Sequence, residues 1–342
     1  MKNSINYLKN IIKNFSYTSC MVVGDVMLDE YVWGKMNGVT SEAQSSQEFL
    51  ELEQAHTFYL GGASNVVANI FALGGKPLFS GVTGNDENGQ KIKDLFLELN
   101  IESAGIFTDK SRPTTLKERF IAISERDNEL QILRRARESK SPINHETELK
   151  ILNYTIENIT KYKSIILSDY EKGVLAKEAS DLCRKMINYA NDNNIPVIVD
   201  PKTQYKKFDG AYLLKPNKDE ILKMTGENNV EKGVEKIFNE TSIKYIVVTL
   251  GKDGMTLFSR EKKPFHVPAY GRKVIDVIGA GDTVTTIFGL GLQTGASLED
   301  LTYLASIAAG IVVGKKGTAT ASQREIIELL ENYDIKQKRV IK

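Results

Sequence analysis

Residues 276–291 read DVIGAGDTVTTIFGLG. Gly279, Ala280 and Gly281 stand directly before a carboxylate, Asp282, and a threonine-rich, largely apolar stretch follows. Glycines let backbone approach a ligand closely. A helix N-terminus offers unpaired N–H groups and a partial positive charge, which suits an anion. A carboxylate beside it, with an ordinary pKa of about 3.9, is ionised at neutral pH and could take the proton of a hydroxyl that attacks phosphorus. The same residues also describe a tight turn with Asp282 as a helix N-cap. Taken alone, the stretch fits both readings.

Three further stretches carry polar groups at suggestive spacings. LGGASNVVANIFALGG (60–75) sets Gly61 and Gly62 before Asn65. Paired glycines could admit a polar ligand whose hydroxyls bond to Asn65, or the stretch is a loop leading into a core helix. KPNKDE (215–220) follows the strand-like AYLL and puts Asn217 and Glu220 three residues apart at a helix start. That spacing could hold a hydrated magnesium beside phosphates, or Asn217 caps the helix with Glu220 at its third position. TLGKDG (249–254) is either a nucleotide-contacting turn or a simple turn into MTLFS. No G-x-x-x-x-G-K-[ST] loop is present, which excludes a P-loop enzyme. VVGDVMLD lacks the second and third glycines of a dinucleotide fingerprint.

These groups need a scaffold. CMVVGD (20–25), SIILSD (164–169), PVIVD (196–200) and YIVVTLG (245–251) are short apolar, β-branched runs that end in a turn. Uninterrupted apolar strands are buried on both faces, the mark of a parallel sheet. Helical patterns lie between them, as in ILNYTIENITKY (151–162) and EASDLCRKMINYANDN (178–193). The alternation predicts an α/β fold with a doubly wound, mostly parallel sheet flanked by helices. Ligands bind beyond the carboxyl ends of such strands, where Asp25, Asp169 and Asp200 fall. Residues 31–60 and 112–135 instead alternate, as in SQEFLELE and TLKERFIAI. They predict a small antiparallel β lid.

Composition bounds the function. The 342 residues, 41% of them hydrophobic, suit one large α/β domain, and no linker or repeat divides them. Lys plus Arg number 45 against 44 Asp plus Glu, a net charge of +1 that favours neither nucleic acid nor an anionic membrane. Cys20 and Cys183 lack metal-ligand spacing and read as reduced thiols. His56, His145 and His266 are isolated and read as ordinary surface or core residues. The amphipathic N-terminus is no signal peptide, and no run reaches the roughly 18 apolar residues of a membrane span. A cytoplasmic protein is expected.

Taken together and in this order, the motifs give the chain a resemblance to the ribokinase (PfkB-type) family of carbohydrate kinases. That family pairs an early Gly-Gly-x-x-Asn, here Gly61 to Asn65, with a late Gly-Ala-Gly-Asp, here Gly279 to Asp282. The likeness spans about residues 18–325. Within the family the chain looks most like kinases of D-glycero-D-manno-heptose 7-phosphate. It does so through VVGDVMLDEY, LSDYEKGVL, VIVDPK, AYLLKPNKDE, DVIGAGDTV and AAGIVVGKKGTATAS. Some of these kinases are fused to a nucleotidylyltransferase with an H-x-G-H motif. The expectation here is a single kinase domain over 1–342 without that second domain.

The resemblance implies transfer of phosphate from ATP, with Mg2+, to the anomeric hydroxyl of the heptose phosphate, for ADP-heptose and surface polysaccharide synthesis. The alternatives are a kinase for another sugar or phosphosugar, or a non-catalytic binding protein of the same fold. By position, Asp282 would be the base, and Gly279, Ala280 and Gly281 the anion hole. Asn217, Lys218, Asp219 and Glu220 would face ATP and magnesium, and Thr249, Gly251 and Gly254 the nucleotide. Asp25, Asp29, Gly61, Gly62 and Asn65 would hold the sugar. Lys117, Arg119 and Lys172 are the candidates for its existing phosphate, with Asp169 nearby. For Lys117 and Arg119 a solvated strand face is the other reading. The resemblance also implies a homodimer through the lid. Three stretches depart from the heptose-kinase pattern. Gly38-Val-Thr-Ser-Glu-Ala-Gln replaces Arg-Ile-Ser-Pro-Glu-Ala-Pro, keeping Glu42 and Ala43. Tyr59-Leu60 replaces Arg-Pro, and Arg134-Arg135-Ala136 replaces Arg-Leu-Asp. All three fall in the expected lid.

Overall fold

The computed structural model describes residues 5–39, 47–124, 129–176, 181–270 and 273–340. Glu42, Ala43 and residues 178–180 of the helical pattern at 178–193 lie outside the described residues. The chain opens with α1 (Ile5–Asn14) and β1 (Ser19–Gly24). Asp25 alone separates β1 from the long β2 (Val26–Val39), and β3 (Gln47–Gly62) returns directly into α2 (Ala63–Ala72). Next come β4 (Lys76–Thr83), α3 (Glu87–Glu98), β5 (Ile106–Thr108), β6 (Thr115–Ile123) and β7 (Glu129–Arg137). Alternation then sets in with α4 (His145–Ile159), β8 (Ile165–Ser168), α5 (Leu182–Asp192), β9 (Val197–Asp200) and β10 (Leu213–Leu214). It continues through α6 (Lys218–Thr225), α7 (Val230–Glu240), β11 (Tyr245–Thr249), β12 (Met255–Ser259) and β13 (Phe265–Val267). Three helices close the chain: α8 (Ala280–Gly291), α9 (Leu298–Val312) and α10 (Gln323–Val340).

Among the described residues, nine strands form the main sheet in the order β13-β12-β11-β10-β9-β8-β1-β4-β5. Its pairings are parallel except for β11 with β12 and β12 with β13. Every residue of β8 and β9 is buried, which is why their sequences are unbroken apolar runs. One face of the sheet packs under α1, α2, α3, α8, α9 and α10. The other packs under α4, α5, α6 and α7. The result is the expected doubly wound α/β sheet. No described helix is long and apolar enough to cross a membrane.

The lid is a second sheet, ordered β3-β2-β6-β7. It differs from the sequence expectation in two ways. It begins at Val26 because β2 runs straight on from β1. Its central pairing, β2 with β6, is parallel from Met27↔Thr115 to Gly34↔Ala122. Both strands leave the main sheet in the same direction, so only the flanking pairs are antiparallel.

Candidate active site

The carboxyl ends of β1, β8, β9, β10 and β11 converge on the N-terminus of α8. This helix sits deep in the molecule, with every residue from Asp282 to Gly291 buried. Its small residues permit that depth. A Cβ on Gly289 would lie 2.7 Å from Cδ1 of Ile166 in β8, so only glycine lets the helix pack so close to the sheet. The buried hydroxyls of Thr283, Thr285 and Thr286 bond back to the carbonyls of Gly279, Gly281 and Asp282. Gly279 starts the helix at φ 81°, and a Cβ there would stand 2.8 Å from Nδ2 of Asn65. Thr283 is the first residue whose amide bonds back into the helix, to Gly279. The first-turn amides ahead of it are the unpaired donors that an anion accepts.

Asp282 is 5% exposed, and its carboxylate does not cap the helix. Oδ1 accepts from the Tyr170 hydroxyl at 2.6 Å, and Oδ2 accepts from the Asn65 amide at 2.6 Å. Asn65 lies in α2 and is held in turn by Asn69, which also accepts from Thr283. Burial, and then the charge of Asp200, push the Asp282 pKa up to about 6. The two hydrogen bonds and the Lys215 ammonium restrain that rise.

A cleft of about 680 Å³ opens in front of α8. Its walls include Asn217, Glu220, Thr249, Gly251, Gly254 and Gly279 to Asp282. Lys218 and Asp219 are exposed and do not line it. Asn217 and Glu220 form a complete capping box at the head of α6. The other carboxylate oxygen of Glu220 takes the Lys202 ammonium at 2.6 Å. Lys215 is buried against Asp200 at 2.8 Å, and a Cβ on Gly281 would lie 3.0 Å from its Nζ. An ammonium thus stands at the mouth of α8. The apolar end of the cleft is formed by Ala269, Tyr270, Val274, Val277 and Ala309.

On the lid side, Asp29 is fully engaged. Oδ1 accepts from Arg119 at 3.0 Å and Oδ2 from Thr318 at 2.8 Å. Arg119 also lies over the Tyr31 ring, so it is buried in the lid and not a solvated face. Gly61 passes directly under Asp29, where a Cβ would be 2.6 Å from Oδ2. Lys117 lies 5.6 Å above the Tyr170 ring. Burial lowers its pKa, and the charges of Arg134 and Lys172 push the same way against Asp29. Lys172 pairs with Glu138 at 3.0 Å. Asp25 accepts from the amides of Tyr170, Lys172 and Val174, so it reaches the site through the loop that it ties down. Asp169 is wholly enclosed, bonded to Lys207 at 2.6 Å, and is not brought to the cleft.

Tyr170, Lys202 and Lys215 are site residues that the motif spacing alone did not single out. Each follows a strand end within two residues, and that position was the available signal.

The sequence matches the pfkB family of carbohydrate kinases over residues 18–325. Among curated proteins, it is 39% identical to the bifunctional protein HldE of Sulfurimonas denitrificans, covering 93% of this chain and 65% of that protein. It is 37% identical to the bifunctional protein HldE of Geobacter metallireducens, with the same two coverages. The chain therefore spans 65% of the length of these curated relatives. Among solved structures, Arabidopsis thaliana ribokinase complexed with ribose and ATP aligns with a TM-score of 0.68 at 21% identity, over 92% of this chain and 98% of that one. Phosphofructokinase-2 of Escherichia coli in complex with potassium aligns with a TM-score of 0.70 at 18% identity, over the same shares. The backbone is thus ribokinase-like.

Proposed function

The chain belongs to the pfkB family of carbohydrate kinases, and from that premise we propose that it transfers the γ-phosphoryl group of ATP to the anomeric hydroxyl of D-glycero-D-manno-heptose 7-phosphate. The product is the 1,7-bisphosphate, which feeds ADP-heptose and surface polysaccharide synthesis. The observation that carries the reading is Asp282, buried in the first turn of α8 and lining the same cleft as Asn217, Thr249 and Gly251. Asp282 accepts the proton of the acceptor hydroxyl as that oxygen attacks the γ-phosphorus in line. The bond from phosphorus to the ADP oxygen breaks, and its electron pair leaves with ADP. The amides of Gly279, Ala280 and Gly281, with the Lys215 ammonium, stabilise the charge on the migrating group. A single well-aimed donor contributes about 3–4 kcal/mol in comparable oxyanion sites.

The nucleotide lies along Asn217, Glu220, Thr249, Gly251 and Gly254. Among the described residues no three acidic, histidine or cysteine side chains form a metal cage. The cleft does hold a buried carboxylate oxygen with no protein partner, Oδ1 of Asp200. It lies in the same wall as Glu220. That pair fits a magnesium that keeps its water shell and binds chiefly to phosphate oxygens. Bound there, the ion neutralises charge on the phosphates.

Asn65, Gly61 and Gly62 form the floor under the sugar, and Asp25 and Asp29 hold its walls. The existing phosphate meets Lys117 and Lys172. Arg134, directly opposite Arg119 in the lid register, takes the place of that engaged side chain. Lys117 is held down by burial and then by the neighbouring charges of Arg134 and Lys172, and an anion among these cations would relieve it, which supports a phosphorylated acceptor. The similarity to proteins named HldE supports the heptose in particular.

Release of ADP should be followed with heptose 7-phosphate, fructose 6-phosphate and ribose. Turnover is expected with heptose 7-phosphate. Preferential turnover of either other sugar would reassign the substrate, and nucleotide binding without any turnover would mark a binding protein. Asp282→Asn should keep its melting temperature and nucleotide affinity yet lose about 10²–10⁴ in kcat. An unimpaired variant would remove Asp282 from the chemistry.

A further inference from the structure

Tyr170 stands where the two halves of the site meet. Its hydroxyl is 2.6 Å from Oδ1 of Asp282. Two ammonium groups from different parts of the site lie over its ring, Lys117 of the lid at 5.6 Å and Lys202 of the cleft at 5.0 Å. Its amide donates to Asp25 at 2.9 Å, which fixes the backbone as well. A side chain pinned at its backbone, ring and hydroxyl is not free to swing aside.

We propose that Tyr170 is a positioning residue for Asp282: it occupies one lone pair of the carboxylate and separates the sugar phosphate from the nucleotide, so that the base meets a seated sugar hydroxyl and not water. This rests on the reading of Asp282 as the base. A carboxylate oxygen accepts along two lone-pair directions. Tyr170 takes one on Oδ1 and Asn65 takes one on Oδ2, so the acceptor is confined to the directions that remain. The ring interposes apolar surface between two sites that both bind anions, and each neighbouring ammonium is held against its π face.

The charged and titratable groups facing Asp282 are Asp200 at the end of β9, Lys202 beyond it, Lys215 after β10 and Tyr170 itself. Asp200 raises the affinity of Asp282 for a proton, whereas Lys215 and the Tyr170 hydroxyl lower it. Burial, and then the charge of Asp282, hold the Tyr170 phenol well above its usual range, so it remains a donor throughout the working pH.

Tyr170→Phe removes the hydroxyl and keeps the ring. With one donor to its charged form gone, Asp282 should titrate higher, moving the acid limb of kcat/KM up by about one pH unit. On the alkaline plateau, sugar-free ADP release should rise several-fold relative to sugar-dependent release. Tyr170→Leu also removes the ring and should in addition raise the KM for the sugar phosphate. A cooperative melting transition, measured by scanning calorimetry, should be retained in both and serves as the folding control. An active wild type whose Tyr170→Phe variant keeps the same acid limb and the same ratio would overturn the proposal while leaving the kinase reading intact. A wild type inactive on every sugar would instead sink the reading on which it rests.

Discussion

At the scale of single residues, the site is a set of buried charges held apart by fixed donors. Asp282 carries a pKa of about 6 because burial and Asp200 disfavour its anion. The sign of the pH dependence follows. The base works when ionised, so kcat/KM should fall as pH drops through about 6 and level off above about 7. An initial-rate profile in sugar-saturated and sugar-limited conditions checks this, and a flat profile down to pH 5 would contradict it. Asp282 was legible in the sequence because its Gly-Ala-Gly-Asp stretch follows Gly61 to Asn65 in the family's order; alone it reads equally as a helix cap. Its protonation behaviour was not, since Asp200 and Lys215 come from distant strands. Nor could spacing reveal that Arg119 is consumed by Asp29 while Arg134 stays beside Lys117. Lys117, Arg119 and Arg134 share one face of the lid, and the division is set by Asp29, which engages Arg119 across the strands.

At the scale of elements, the site is set by strand ends and by how the chain leaves them. The apolar runs at β1, β8, β9 and β11 were legible because strands buried on both faces need uninterrupted apolar sequence. The strand–helix join at Gly62 was not, because one glycine at φ 58°, ψ −138° replaces the loop that the sequence suggests. Asn217 and Glu220 show the limit of motif reading. Their spacing served a capping box as well as a magnesium site, and the structure contains the capping box. The segment after β8 depends on Asp25, whose two carboxylate oxygens accept from three amides. Asp25→Ala leaves those donors without their acceptor, at about 1–3 kcal/mol for each one that stays buried. The variant should melt several degrees lower and should share the shifted acid limb of Tyr170→Phe, because it frees the loop that carries the tyrosine. A lower melting temperature with an unmoved pH profile would show that Asp25 supports the fold alone.

At the scale of the whole molecule, the lid presents an apolar outer surface. Leu130 and Leu133 are 67% and 53% exposed on β7 at one edge of the lid, and Leu50 is 45% exposed on β3 at the other. Exposed leucines along a sheet edge suit a docking surface, and a second copy of the chain is the proposed occupant of the β7 edge. Leu133→Glu should therefore convert a dimer into a monomer in light scattering and raise the KM for the sugar more than that for ATP. A wild type that runs as a monomer at micromolar concentration would dismiss the lid interface. Existence of the lid was legible from alternation within β3 and β6. Its parallel centre was not, since that pairing joins strands separated by β3, α2, β4, α3 and β5. One of the joins between the lid and the main sheet is at Asp25, which follows β1 and whose carbonyl accepts from the amide of Ala63 at 2.9 Å. Asp25 also grips the segment bearing Tyr170, so the strand that leads into the lid and the loop that steadies the proposed base share one anchor.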